Sequence, residues 1–91
     1  MKFDTGNILF TEGISHQFEA SKDFGIEILM AMIRYFNCDW GELCEEDQAL
    51  NDYAIENDER ILGKYFTSKE PIYIITEWDR SATTILFCNE Y

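Results

Sequence analysis

The 91-residue chain has no valine, one proline, one histidine, and only 7 basic residues against 18 acidic ones. The shortage of positive charge leaves a net charge of -11. Such a field repels phosphate backbones and anionic bilayers alike, so direct binding to nucleic acid or to a membrane surface is disfavoured. Cys38, Cys44 and Cys88 are odd in number and form no CxxC pair. A fully paired disulfide framework is thereby excluded, and a cytoplasmic protein is expected. His16 is the lone imidazole, and with the scattered cysteines it matches no common zinc module. It is expected on the surface of a short helix, and neither a metal nor another cofactor is expected. Long apolar runs are missing too. The longest, Ile28 to Ile33, falls far short of the roughly 20 residues that span a bilayer, and Met1-Lys2-Phe3-Asp4 has no apolar run behind its charge as a secretory leader would. No repeat and no low-complexity segment is visible.

What is present suffices for one folded domain over residues 1–91. Isoleucine (11), leucine (6) and phenylalanine (7) supply 24 of the 91 residues. That share exceeds the roughly 20% below which a charged chain stays disordered.

Asn7 to Phe10 is a short apolar run ending where Thr11 can cap a brief helix that carries Ile14 and Phe18 on one side. After Ser21-Lys22-Asp23, which offers two possible caps, the spacing of Phe24, Ile28, Leu29, Met32, Ile33 and Phe36 predicts the most buried helix over Phe24 to Phe36, with Glu27 and Arg34 opposite. From about Cys44 to Asn57 an acidic amphipathic helix follows, with Ala49, Leu50, Tyr53 and Ala54 on one face. Arg60 to Phe66, Ile72 to Trp78 and Thr83 to Cys88 are rich in Ile, Tyr, Phe and Thr, which suit strands, and their connections have hairpin lengths. Helices first and strands afterward predict an α+β domain. Its sheet is expected to be an antiparallel three-stranded meander, with Asn7 to Phe10 available as a fourth, edge strand. Two longer helices and one short one are expected on one face.

The acids are segregated. Asp39 to Glu59 holds nine of them and no Lys or Arg, while the rest of the chain is nearly balanced. Glu45, Asp52 and Glu56 fall within about 40° on a helical wheel, spaced about 10 and 6 Å along the axis, with Glu59 just beyond. Such a row can imitate a phosphate strand to a basic protein surface, although an acidic outer face also serves plain solubility. Three of the acids, Glu45, Glu46 and Asp47, have a local reason to be in a first helical turn, where they complement the macrodipole. Cys44 sits beside that helix start, but the adjoining carboxylates oppose a reactive thiolate.

The densest group of chemically capable side chains elsewhere is the turn from Glu77 to Thr84. As structure, Asp79 and Ser81 bond turn amides, Arg80 pairs with Glu77 or Asp79, and Thr83 and Thr84 start a strand. As a site, Glu77, Asp79, Arg80, Ser81, Thr83 and Thr84 beside Trp78 would hold a ligand or supply a carboxylate pair for metal-assisted hydrolysis. No second acidic motif supports catalysis, so an interaction protein is expected rather than an enzyme. Its partner would be a basic, nucleic-acid-binding protein. A further reading is a homo-oligomer whose interface covers exposed aromatics such as Trp40 or Tyr73.

The chain resembles a family of small bacterial proteins often labelled hypothetical or plasmid-related. The resemblance rests on Ile8-Leu9-Phe10-Thr11-Glu12-Gly13, Asp39-Trp40-Gly41-Glu42-Leu43, Glu45-Glu46-Asp47, Asn51, Arg60-Ile61-Leu62, Tyr65, Ile74-Ile75-Thr76-Glu77, Asp79-Arg80-Ser81, Thr83-Thr84-Ile85-Leu86 and Glu90-Tyr91. It covers nearly the whole chain and implies a gene carried on plasmids, phages or other mobile elements, with no enzymology attached. Two positions depart from the pattern: Cys44 stands where a capping aspartate is expected, and Asp58 where a glycine is. Asp58 or Asn57 can still take the left-handed conformation of a helix end.

Overall fold

The computed structural model describes residues 2–91; Met1, part of the tetrapeptide considered above, lies outside them. The elements follow in the order β1 (Asn7–Phe10), α1 (Glu12–Ala20), α2 (Lys22–Phe36), α3 (Glu45–Asn57), β2 (Ile61–Tyr65), β3 (Ile72–Thr76) and β4 (Ala82–Phe87), with a short 3-10 helix at Cys88–Glu90. This is the α+β domain that the order of patterns predicts.

The strands lie in the order β1-β4-β3-β2. β2, β3 and β4 form the expected antiparallel meander, with Ile74 opposite Gly63 on one side and Ile85 on the other. The expectation of a wholly antiparallel sheet needs correction, because β1 joins beside β4 in parallel, Ile8 level with Thr83 and Phe10 with Ile85. Parallel neighbours need a long connection, and the helices between β1 and the meander supply it.

One face of the sheet carries Ile61, Tyr65, Ile72, Ile74 and Ile85, each at most 1% exposed. α1 and α2 cover this face. Their starts are fixed locally: Thr11 Oγ1 accepts from the Ile14 amide at 3.4 Å, and Ser21 Oγ accepts from the Phe24 amide at 3.2 Å. α2 lays Phe24, Ile28, Ala31 and Tyr35 inward, and the Phe24 ring stacks on Phe87 at 5.7 Å. Leu29 and Ile33, expected in the buried row, point outward instead, 48% and 61% exposed. The helix is apolar on two opposite sides, and the sheet takes the side with the larger rings.

α3 closes the free edge of β2. The Leu62 amide donates to Asn51 Oδ1 at 3.1 Å, and Asn51 Nδ2 donates back to the Leu62 carbonyl at 2.7 Å. One residue pair further on, Lys64 N donates to the Trp40 carbonyl at 3.1 Å and Glu42 N donates to the Lys64 carbonyl at 2.8 Å. Every outward polar group at these two positions is thus satisfied, which an edge strand otherwise leaves open. The arrangement corrects the expected face of α3. Asn51 and Ala54 are buried, whereas Ala49, Leu50 and Tyr53 are exposed, because turning Asn51 toward the edge turns Leu50 and Tyr53 to solvent.

Trp40 is buried among Phe3 and Tyr35, so it cannot serve as an exposed interface aromatic; Trp78 is exposed and Tyr73 half-buried. Among the described residues no helix is long and apolar enough to cross a membrane.

Two buried phenols give the fold a pH signature. Tyr35 OH contacts Thr76 Oγ1 at 2.7 Å and Tyr65 OH donates to the Asp39 carbonyl at 2.8 Å, and burial pushes both phenols well above their ordinary pKa. A raised folded-state pKa contributes stability that is complete below the unfolded value, about pH 10, and is lost as the pH climbs beyond it. Unfolding free energy should therefore fall steeply above about pH 10, each phenol contributing up to about 1.4 kcal/mol per pH unit. Urea titrations at stepped alkaline pH measure the slope, and Tyr35→Phe should make it shallower. An unchanged slope in that variant would contradict the assignment.

Candidate functional site

The acidic row is built on α3. Glu45, Asp52 and Glu56 belong to the helix, Glu59 follows its end, and all four are exposed. Asp52 Oδ1 accepts from the Trp40 indole N–H at 3.4 Å, a long bond that ties the middle of the row to the core. Asp52 and Glu56 also border a hollow of about 260 Å³ with Lys2 and Cys38. Among the described residues the single ion pair is Arg34 Nε to Asp39 Oδ2 at 2.8 Å. The hydrogen bond from Arg34 holds the Asp39 carboxyl below its usual range, and the same bond raises the Arg34 guanidinium. Asp39 is thus committed locally, while the four acids of the row form no ion pair among the described residues.

A helix with five carboxylates and no base repels itself, and α3 ends without a cation in its last turn. Cys44 at its start makes no side-chain capping bond, and Asp58 at its end stands in the left-handed region with φ of 52°. The missing cation comes from the far end of the chain. Arg80 donates to the Glu59 carbonyl at 2.6 Å, to the Ala54 carbonyl at 2.9 Å and to the Glu77 carbonyl at 3.1 Å. In the sequence the carboxylates of Glu77 or Asp79 are the expected partners of Arg80; the guanidinium instead clamps α3 to the β3–β4 turn. The one signal for this in the sequence is that last turn of α3, with no base of its own.

The turn's other residues are divided between structural tasks. Asp79 Oδ1 accepts from the Ser81 amide at 3.0 Å, and its bond to Ser81 keeps this carboxyl below its usual range. Arg80 N donates to the Glu77 carbonyl at 2.9 Å and Glu77 N to the Ala82 carbonyl at 3.0 Å, closing the hairpin. Thr83 is fully buried and belongs to a hydroxyl chain: Thr83 Oγ1 donates to the Thr5 carbonyl at 2.7 Å, contacts Thr76 Oγ1 at 2.7 Å, and through it reaches Tyr35. Since Thr83 spends its single proton on Thr5, it accepts from Thr76, which in turn accepts from Tyr35. Thr84 lies on the opposite sheet face, next in register to Ile75. The structure therefore does not gather the six turn residues into one cluster. Among the described residues no group of three or more His, Cys, Asp or Glu side chains is placed to hold a metal ion.

A groove that the sequence did not reveal, of about 510 Å³, lies between the first turn of α3 and the outer sheet face. Arg60 and Lys64 line it together with Glu42 and Asp47, so its charges balance. No family model, no curated protein and no solved structure matches this chain.

Proposed function

We propose that this protein is a small acidic, non-enzymatic interaction module, encoded on a mobile element such as a plasmid or phage, that docks α3 onto a basic, nucleic-acid-binding protein and inhibits or modulates it. The observation that carries this reading is the exposure of Glu45, Asp52 and Glu56 along α3, with Glu59 just past its end, none of them in an ion pair among the described residues. Charges left unpaired on one element produce a concentrated field, and that field steers a basic surface much as a phosphate strand does. The clamp by Arg80 supports the reading, because it holds a self-repelling helix in place without neutralising the carboxylates on its outer face.

The test compares wild type with the Glu45→Gln, Asp52→Asn, Glu56→Gln, Glu59→Gln variant as bait in host lysate. Captured proteins are then purified and retested directly. Wild type should retain a nucleic-acid-binding protein that is released as salt rises and displaced by added duplex, and the variant should lose it. Retention of the same partner by the neutral variant would dispose of the proposal. The substitutions lie on exposed positions, so the variant should melt within a few degrees of wild type.

A further inference from the structure

α2 has a second apolar face that its own sheet does not use. Ile26, Leu29, Met30 and Ile33 are 48%, 48%, 60% and 61% exposed, and they recur at i, i+3, i+4 and i+7. At about 100° per residue this stripe lies opposite the buried row of Phe24, Ile28, Ala31 and Tyr35. A helix with a second apolar stripe opposite its buried one has the pattern of a helix covered on both sides. Contiguous exposed patches of this kind mark contacts with another molecule.

We infer that this stripe pairs with the same stripe of a second copy, joining two chains through antiparallel α2 helices. Two observations select a second copy. First, charge: the chain carries -11, yet Lys22, Asp23, Glu27 and Arg34 cancel, so α2 is its neutral helix. The unpaired acids sit on and just past α3, along the β2 edge of the sheet, whereas the stripe is on the side of α2 turned away from the sheet, so two copies can meet on it without placing their acidic rows in the contact. Second, symmetry: a two-fold contact must be self-complementary. The stripe is symmetric about the point midway between Leu29 and Met30. Antiparallel pairing there sets Ile26 of one copy on Ile33 of the other, and Leu29 on Met30, with every apolar side chain facing another. Four half-exposed side chains offer less than the roughly 800 Å² a side of a standard interface, which makes the dimer weak and concentration-dependent. The pairing is independent of the proposal for α3, and it would give each assembly two acidic rows, with the gain in avidity that two linked sites bring.

Sedimentation equilibrium on the full chain, up to roughly 0.5 mM, tests the pairing. Wild type should pass from monomer to dimer across the series. Met30→Glu, at an exposed position, should raise the dissociation constant by about tenfold or more with an unchanged melting curve. Ile26→Lys combined with Ile33→Glu should stay dimeric, because the antiparallel register sets each lysine against a glutamate. Three results would each overturn the inference: wild type monomeric throughout, which would leave the stripe to a different protein; Met30→Glu dimerising as well as wild type; or the Lys/Glu pair monomeric where wild type is dimeric.

Discussion

Gly41→Ala is expected to cost about 3 kcal/mol, a large share of the 5 to 14 kcal/mol or so that a domain of this size holds. Gly41 stands at φ of 77°, in the left-handed region, and a Cβ there would overlap the Lys64 carbonyl oxygen. Strain from the conformation contributes about 1–2 kcal/mol. The overlap adds more, because relieving it means backing residues 40–42 away from β2. That movement loosens the two bonds at Lys64 that seal the sheet edge, at about 1 kcal/mol each. The loss of freedom in the unfolded chain returns at most about 1 kcal/mol. Urea denaturation gives the difference directly. Gly41→Asn separates the causes: asparagine tolerates the left-handed region but keeps the Cβ, so it should be nearly as damaging as alanine. A loss below about 1 kcal/mol for alanine, or full recovery with asparagine, would show that the contact with Lys64 is not what requires glycine.

Arg80→Ala should cost about 2–3 kcal/mol. Three carbonyls lose a charged donor, and although hydrogen bonds to charged groups are worth about 1.5–3 kcal/mol each, the side chain is partly exposed, so water replaces some of them. The loss should appear first at α3, whose end has no cation of its own, as faster amide exchange in the turn containing Ala54 and Glu56. Arg80→Lys should recover less than half, since a single ammonium cannot span carbonyls from two elements. Asp79→Asn should be near neutral, because an amide oxygen can still accept from Ser81 and the group is exposed. If Arg80→Ala melted like wild type, the guanidinium would be free for another task, and the turn would regain its standing as a ligand site.

Particular residues show how far the sequence could be read. Ile72–Thr76 and Ala82–Phe87 were legible as strands because β-branched and aromatic residues cluster there, and the short connections dictate a meander. Thr11 was legible as a cap because a hydroxyl before an apolar helical pattern has a local function, whereas Ser21-Lys22-Asp23 offered two caps and the structure uses Ser21. β1 was legible as a strand but not in its direction, since four residues carry no signal of parallel or antiparallel pairing. In α3, Leu50 and Tyr53 suggested a buried face that the edge of β2 gives to Asn51, because a long-range need for backbone partners outranks local apolarity. Arg80 misled for a related reason: nearby carboxylates are the obvious partners in sequence, while the actual ones are carbonyls, two of them 21 and 26 residues away.

The sequence by itself determined the class of fold, the acidic character of one helix and the absence of cationic balance within it, since composition and short-range periodicity depend only on neighbours along the chain. Which side of α2 faces the sheet, how β1 enters it, which edge α3 seals and where Arg80 spends its charge were decided by the tertiary structure. Each of these is a competition between chemically similar surfaces, and only packing and the satisfaction of buried backbone groups in three dimensions select between them.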